Sequence, residues 1–334
     1  MPKPSHDPTR TPLRLEPELV ARPWGGRRLA PLAPLGAAPE GPIGEAWLAG
    51  PDSRVAGAAP PNLRGARLAD LAAEHGEAFV GRAPFARYGA RVPLLAKLLD
   101  AAEPLSLQVH PDDAYALREE AHTGHLGKTE AWYVLEAVPG ASVLWGWERE
   151  VDEQEVRAAI DAGRLEQLLR RLPVQAGDVI VNQAGVVHAV GAGILIYELQ
   201  QASDLTYRLY DHDRRDERGL ARELHLDKGL AVARFEPEPE PSPPRPRAPD
   251  RTRLADTHAF SLERWAVGRE GAAAEQAWVV EPRSLEVWTL LEGEATLVSD
   301  AGALALAAQQ TVVLPAGVGA AAWRGEALLL RGMA

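Results

Sequence analysis

The sequence predicts a mainly β chain of two barrel-like β units with small helical insertions, and three observations carry that reading. Short apolar runs bounded by Gly and Pro recur at residues 44–50, 104–110, 130–137, 178–182 and 193–200, each with the length and pattern of a strand. The stretch "EPEPEPSPPRPRAPD" at 236–250 holds seven prolines in fifteen residues and reads as an extended linker or crossing. Beyond it, residues 251–334 form a second β-rich block that resembles the first.

The repeat is visible residue by residue. "EAWYVLEAVPG" at 130–140 aligns with "EVWTLLEGEA" at 286–295, matching Glu130 to Glu286, Trp132 to Trp288 and Glu136 to Glu292. "VIVNQAGVVHA" at 179–189 aligns with "TVVLPAGVGAA" at 311–321, matching Gly185 to Gly317 and His188 to Ala320. Two helical patches interrupt the strands, at 67–80 and 153–172, where Leu and Ala recur at helical spacing. The expected division is a first domain over 1–235, with helical segments near 67–90 and 148–173. A linker over 236–250 and a smaller block over 251–334 complete it.

Composition excludes several classes. The chain has 334 residues, with 46% hydrophobic and 25% charged, as in ordinary globular proteins. A formal net charge of −11 argues against a nucleic-acid binder, which needs a basic surface. Without cysteine there are neither disulfides nor thiolate metal sites. The first residues carry no apolar core of signal-peptide type, and no run approaches a membrane span. The expectation is a soluble cytoplasmic protein, with no nucleic-acid or membrane partner.

The chemistry concentrates in "SLQVHPDD" at 106–113 and its sequel. Side chains two apart on a strand share a face, so Gln108 and His110 project together while Leu107 and Val109 pack behind. Ser106 falls on the same face by the same period. Glu130 opens the next strong strand in "GKTEAWYV", and His188 follows the turn of "GDVIVNQAGVVHAVG", which looks like the second motif of the cupin barrels. Imidazole and carboxylate are good Zn²⁺ ligands and an amide oxygen a weaker one. The second block is an internal control: it keeps the Trp and Gly positions but has Ala320 where His188 stands, so these histidines are not needed merely to build a barrel. Asp112 and Asp113 read as helix caps rather than ligands.

Several separate stretches carry a wider resemblance: "RPWGG" (22–26), "GEAW" (44–47), "PLLAKLLDAAEPLSLQVHPDD" (93–113), "GKTEAWYVLEA" (127–137) and "YELQQASDLTYRLYDHDR" (197–214). Together they resemble the type I mannose-6-phosphate isomerases of the cupin superfamily, in their shorter bacterial form. The resemblance implies two cupin-like jelly-roll barrels, the second without metal ligands. It also implies one Zn²⁺ per chain held by Gln108, His110, Glu130 and His188, and interconversion of mannose 6-phosphate and fructose 6-phosphate. The family's basic active-site residues fall on Lys97, Lys128 and Arg208, and Glu198 sits where the family keeps an acid. One departure is Gly127, where longer members place a histidine.

Roles follow as expectations. Arg208, with its planar fork, and Lys97 and Ser106 are candidates for holding substrate. Glu198, a Lys128 depressed beside the cation, or a metal-bound water are open candidates for the general base. A sugar phosphate is the expected partner, for a monomer or weak homo-oligomer. Isomerisation of a related sugar phosphate, or a non-catalytic metal- or sugar-binding cupin, are the competing readings. A cupin oxygenase fits less well, since Gln108 stands where an H-x-H pair places histidine.

Overall fold

Antiparallel pairing turns the apolar runs into sheets. The computed structural model describes residues 6–33, 39–57, 59–215, 219–269 and 271–334. The fold is mainly β with a few short helices. Residues pack into two compact units, one of 19–46 and 98–242, the other of 1–18, 47–97 and 243–334. Packing therefore assigns 1–18 and 47–97 to the unit of the C-terminal block, whereas a reading along the chain places them with the N-terminal domain.

In the first unit, a five-stranded sheet runs Tyr207–Tyr210, Leu107–Val109, His188–Val190, Ser142–Trp147, Leu169–Pro173. Glu130–Ala137 pairs with Ile194–Gln201 on one side and Val179–Asn182 on the other. Trp132, Val134, Ile180 and Ile196 from these strands close a core with Val143, Trp145 and Val190 of the five-stranded sheet. A second core lies where Leu107, Val109, Leu144 and Trp147 meet Val156 and Leu230 of two short helices, Glu153–Asp161 and Leu226–Val232. Alternate residues of one strand thus feed both cores.

The other unit is a nine-stranded sheet organised by two long strands, Glu286–Ser299 and Ala320–Met333. Its core gathers Trp265, Trp288 and Trp323, with Trp278 packed against them. Two glutamates that the sequence aligns open paired strands. Glu130 lies opposite Asn182 and Gln200, and Glu286 lies opposite Leu314 and Met333, each the first residue of a strand paired on both sides.

Three local expectations change. The helix expected over 153–172 stops at Asp161, because Gly163 takes a left-handed φ of 64°. Residues 165–168 form a 3₁₀ turn, and Leu169–Pro173 become a strand pairing with Ser142–Trp147. The patch at 67–80 and its sequel form three short helices, Leu68–His75, Glu77–Val80 and Arg82–Tyr88, broken at Gly76 and Gly81. Within the proline-rich stretch, Arg245–Ala248 pairs with Arg251–Asp256 at the end of its sheet, where proline costs no ladder bond. Asp112 caps the helix Asp113–Glu119 by accepting from the Tyr115 N–H at 2.7 Å, as expected.

Candidate metal centre

Three strands side by side place the donors. Gln108 lies opposite His188 on one neighbour and Arg208 on the other, so Arg208, Gln108 and His188 form a cross-strand row. His110 continues the Gln108 face past the strand end. The turn before His188 depends on Gly185, at φ 89°, whose Cβ would meet Arg234 and the Val232 carbonyl at about 3 Å. The Gly185 N–H donates to the His110 carbonyl at 2.9 Å, tying the two histidine segments together.

His110, Glu130 and His188 are almost fully buried, at 1%, 0% and 0% exposure, and their ligand atoms all lie within 4.8 Å of one another. Each imidazole donates its Nδ1–H to a backbone carbonyl, His110 to Leu205 at 2.8 Å and His188 to Val186 at 2.9 Å. That leaves both Nε2 lone pairs facing Glu130, at 3.3 and 3.2 Å from its carboxylate oxygens. Outer hydrogen bonds that fix the tautomer and aim of two imidazoles are a feature of metal-binding histidines. The Trp132 ring packs edge-on against His188 at 5.3 Å and donates its N–H to Glu198 Oε1 at 3.1 Å.

The donor set fits a divalent cation. Glu130 Oε2 is buried without a well-directed hydrogen bond, although Lys128 Nζ lies 2.9 Å away. Glu130 Oε1 accepts from Asn182 Nδ2 at 3.1 Å, which fixes the carboxylate plane. Gln108 Nε2 sits 3.4 Å from His188 Nε2, and turning the amide over brings its oxygen to the same place. Burial and the Lys128 charge lower His110 to about 3, so it is a neutral ligand throughout the physiological range. Burial raises Glu130, but Lys128 and the two histidines more than reverse this and hold it well below the usual carboxylate range.

Lys128 lies between two carboxylates. Burial pushes its ammonium down, yet Glu130 and Glu198 outweigh that and hold it above its ordinary value. Its carboxylate neighbours thus favour the charged form. Arg208 is half-buried; its Nη1 donates to the Glu223 carbonyl at 2.8 Å and its Nε is buried without a partner. Among the described residues it pairs with no carboxylate, because Asp211 is taken by Arg222 and Arg214. Burial and the charge of Arg222 depress the Arg208 guanidinium, with a further contribution from Arg214. Ser106 is buried just before the Gln108 strand. Lys97 is buried in the other unit, with Nζ 4.8 Å from the centre of the Trp47 ring. His122 is exposed and stands apart from the cluster.

Sequence reasoning missed Asn182, Arg214 and Arg222. Asn182 was accessible only through the register that sets it opposite Glu130. The two arginines lie within a highly charged run that looks like any solvated loop.

Comparison with known proteins places the chain. Residues 13–130 match the family "Phosphomannose isomerase type I, catalytic domain". Mannose-6-phosphate isomerase ManA of Bacillus subtilis is 33% identical over 315 residues, spanning 93% of this chain and 95% of that protein. The chain belongs to the type I phosphomannose isomerase family. A second family member, the mannose-6-phosphate isomerase of Streptococcus mutans, is 41% identical over 66% of this chain and 67% of its own length. The crystal structure of the Bacillus subtilis mannose 6-phosphate isomerase superposes with a TM-score of 0.81 at 31% identity, covering 97% of this chain and 99% of that one. A zinc-bound mannose 6-phosphate isomerase shares the fold at 17% identity, with a TM-score of 0.74 over 96% of this chain and 99% of its own.

Proposed function

We infer that this protein is a mannose-6-phosphate isomerase that interconverts mannose 6-phosphate and fructose 6-phosphate through an enediol or enediolate. The observation that carries the reading is the pair of buried Nε2 lone pairs turned onto Glu130, in a chain of this family. The residues that would hold one Zn²⁺ are His110, Glu130 and His188, with the Gln108 amide oxygen as a fourth donor. When bound, the ion supplies Lewis acidity toward the sugar oxygens on which negative charge develops.

The chain's own groups supply the rest. Lys128, whose charged form two carboxylates favour, gives a proton to O1 of the aldose and takes one back from the O2 hydroxyl, so the ammonium is restored at the end of the turnover. Glu198, oriented by the Trp132 N–H, takes the proton from C2 of the aldose and returns it to C1. Arg208, free of any carboxylate partner among the described residues, binds the substrate phosphate or enediolate oxygens. Arg214 and Arg222 add positive potential around it. Ser106 offers a buried hydroxyl on the same side. All these groups fall within residues 1–235; among the described residues, 251–334 adds no side chain to the His110, Glu130 and His188 cluster. No helix among the described residues is long and apolar enough to cross a membrane, and the working form is read as a cytoplasmic monomer or weak homo-oligomer.

The test measures zinc content and conversion of mannose 6-phosphate to fructose 6-phosphate for the native chain and for Glu130→Ala. The native chain is expected to hold about one zinc and turn over substrate, and the variant to lose both. A zinc-loaded native chain without turnover sinks the substrate; a variant that keeps metal and activity sinks the site.

A further inference from the structure

The C-terminal barrel treats its own buried glutamate differently. Glu286 holds the register position that Glu130 holds in the other barrel, but its neighbours there are Leu314 and Met333 rather than Asn182 and Gln200. Among the described residues no histidine pairs with it. Its charge is met by the Arg331 guanidinium on Oε1 and by the indole N–H groups of Trp278 and Trp288 on Oε2, at 3.1 and 2.7 Å. Arg331 lies opposite Trp288, where Glu198 lies opposite Trp132 in the first barrel. A guanidinium thus replaces both the acid and the cation of the metal-binding copy.

The pairing extends outward. Arg331 Nη1 also donates to Glu263 Oε2 at 3.3 Å, and Glu263 accepts from Trp265 Nε1 at 3.1 Å and pairs with Arg253 Nη2 at 2.9 Å. Arg253, Glu263, Glu286 and Arg331 line a cavity of about 450 Å³, with His258, Phe260 and Ser261 among its other walls. That volume falls among small-molecule sites, which run from about 300 to 1,000 Å³.

Charge selects the ligand class. The lining holds three arginines (253, 283 and 331) against four carboxylates (Asp256, Glu263, Glu281 and Glu286), and the inner ones are paired with each other. A phosphate meets too many carboxylates, and a cation meets guanidinium groups already in place. What the walls do offer is a close alternation of N–H donors and carboxylate acceptors, which suits hydroxyls that donate and accept at once.

We propose that the cavity of the C-terminal barrel binds an uncharged polyhydroxy ligand, a free sugar or sugar alcohol, without chemistry. The proposal does not rest on the isomerase activity. The probe is D-mannitol, which has no carbonyl to isomerise, titrated into the full chain by calorimetry with inorganic phosphate as the comparison. Mannitol binding is expected in the native chain and in Glu130→Ala alike. It should weaken about tenfold in Glu263→Gln, the cost of roughly one charge-assisted hydrogen bond. Arg283→Ala, at an exposed residue, reports on the rim without disturbing the core and should weaken binding by a smaller factor. Absent mannitol binding, tighter binding of phosphate, loss in Glu130→Ala, or affinity unchanged in both cavity variants would each overturn the proposal.

Discussion

Asn182 and the Leu205 carbonyl illustrate how a ligand set is aimed by groups that carry no signal of their own. The histidines and Glu130 were legible because their side chains have few reasons to share one buried face. The carbonyls that hold the imidazoles belong to the backbone, and any residue type could supply them. Asn182→Leu, which installs the residue found opposite Glu286, removes the hydrogen bond to Glu130 Oε1. Zinc affinity measured by competition with a chelator should fall about tenfold or more. Glu120 supplies a pH test. Lys228 at 2.6 Å and the Tyr207 hydroxyl at 2.7 Å hold its carboxyl below its ordinary 4.5. With the folded value depressed, this stabilisation is complete above 4.5 and is lost as the pH falls through the folded value. Glu120→Gln should therefore lower the Tm near pH 7, by about 1 kcal/mol of stability, and make little difference at about pH 3.

Elements set what the residues can reach. The segment from His110 to Glu130 folds back on itself: the Lys128 N–H donates to the Pro111 carbonyl at 2.9 Å, and the Gly127 N–H donates to Asp113 Oδ1 at 3.0 Å. A Cβ on Gly127 would lie 2.4 Å from the backbone of Asp112 and Asp113. Any side chain at that position thus requires a different backbone path here. Gly127→Ala is expected to push Lys128 and Glu130 away from His110, cutting kcat/KM by about tenfold or more while the protein stays folded. The mixed outcome over 153–173 belongs to the same scale. Its leucine spacing satisfies a helix, but Gly163 ends the helix, and Leu169–Pro173 gains a ladder against Ser142–Trp147 that no local pattern announces.

Across the whole molecule, one barrel design serves two electrostatic solutions. In one copy two histidines surround the buried glutamate and a lysine attends it; in the other an arginine neutralises it directly. Metal binding should therefore stabilise only the first. A ligand in a thousandfold excess over its Kd adds about 4 kcal/mol. Chelation is accordingly expected to lower one thermal transition of the native chain by calorimetry and leave Glu130→Ala unmoved. A second transition that is indifferent to chelator is expected from the arginine-neutralised barrel.

The sequence by itself determined the β character and the family and pointed to His110, Glu130 and His188, because strand period, turn glycines and motif spacing are all local facts. Only the tertiary structure decided which strands stand beside Gln108 and which carbonyls fix the imidazoles. It alone showed that residues 47–97 pack with the C-terminal block, and that Arg331 answers Glu286. Those are matters of register and long-range pairing. A strand's own residues state which face they show, but not which neighbour will meet it.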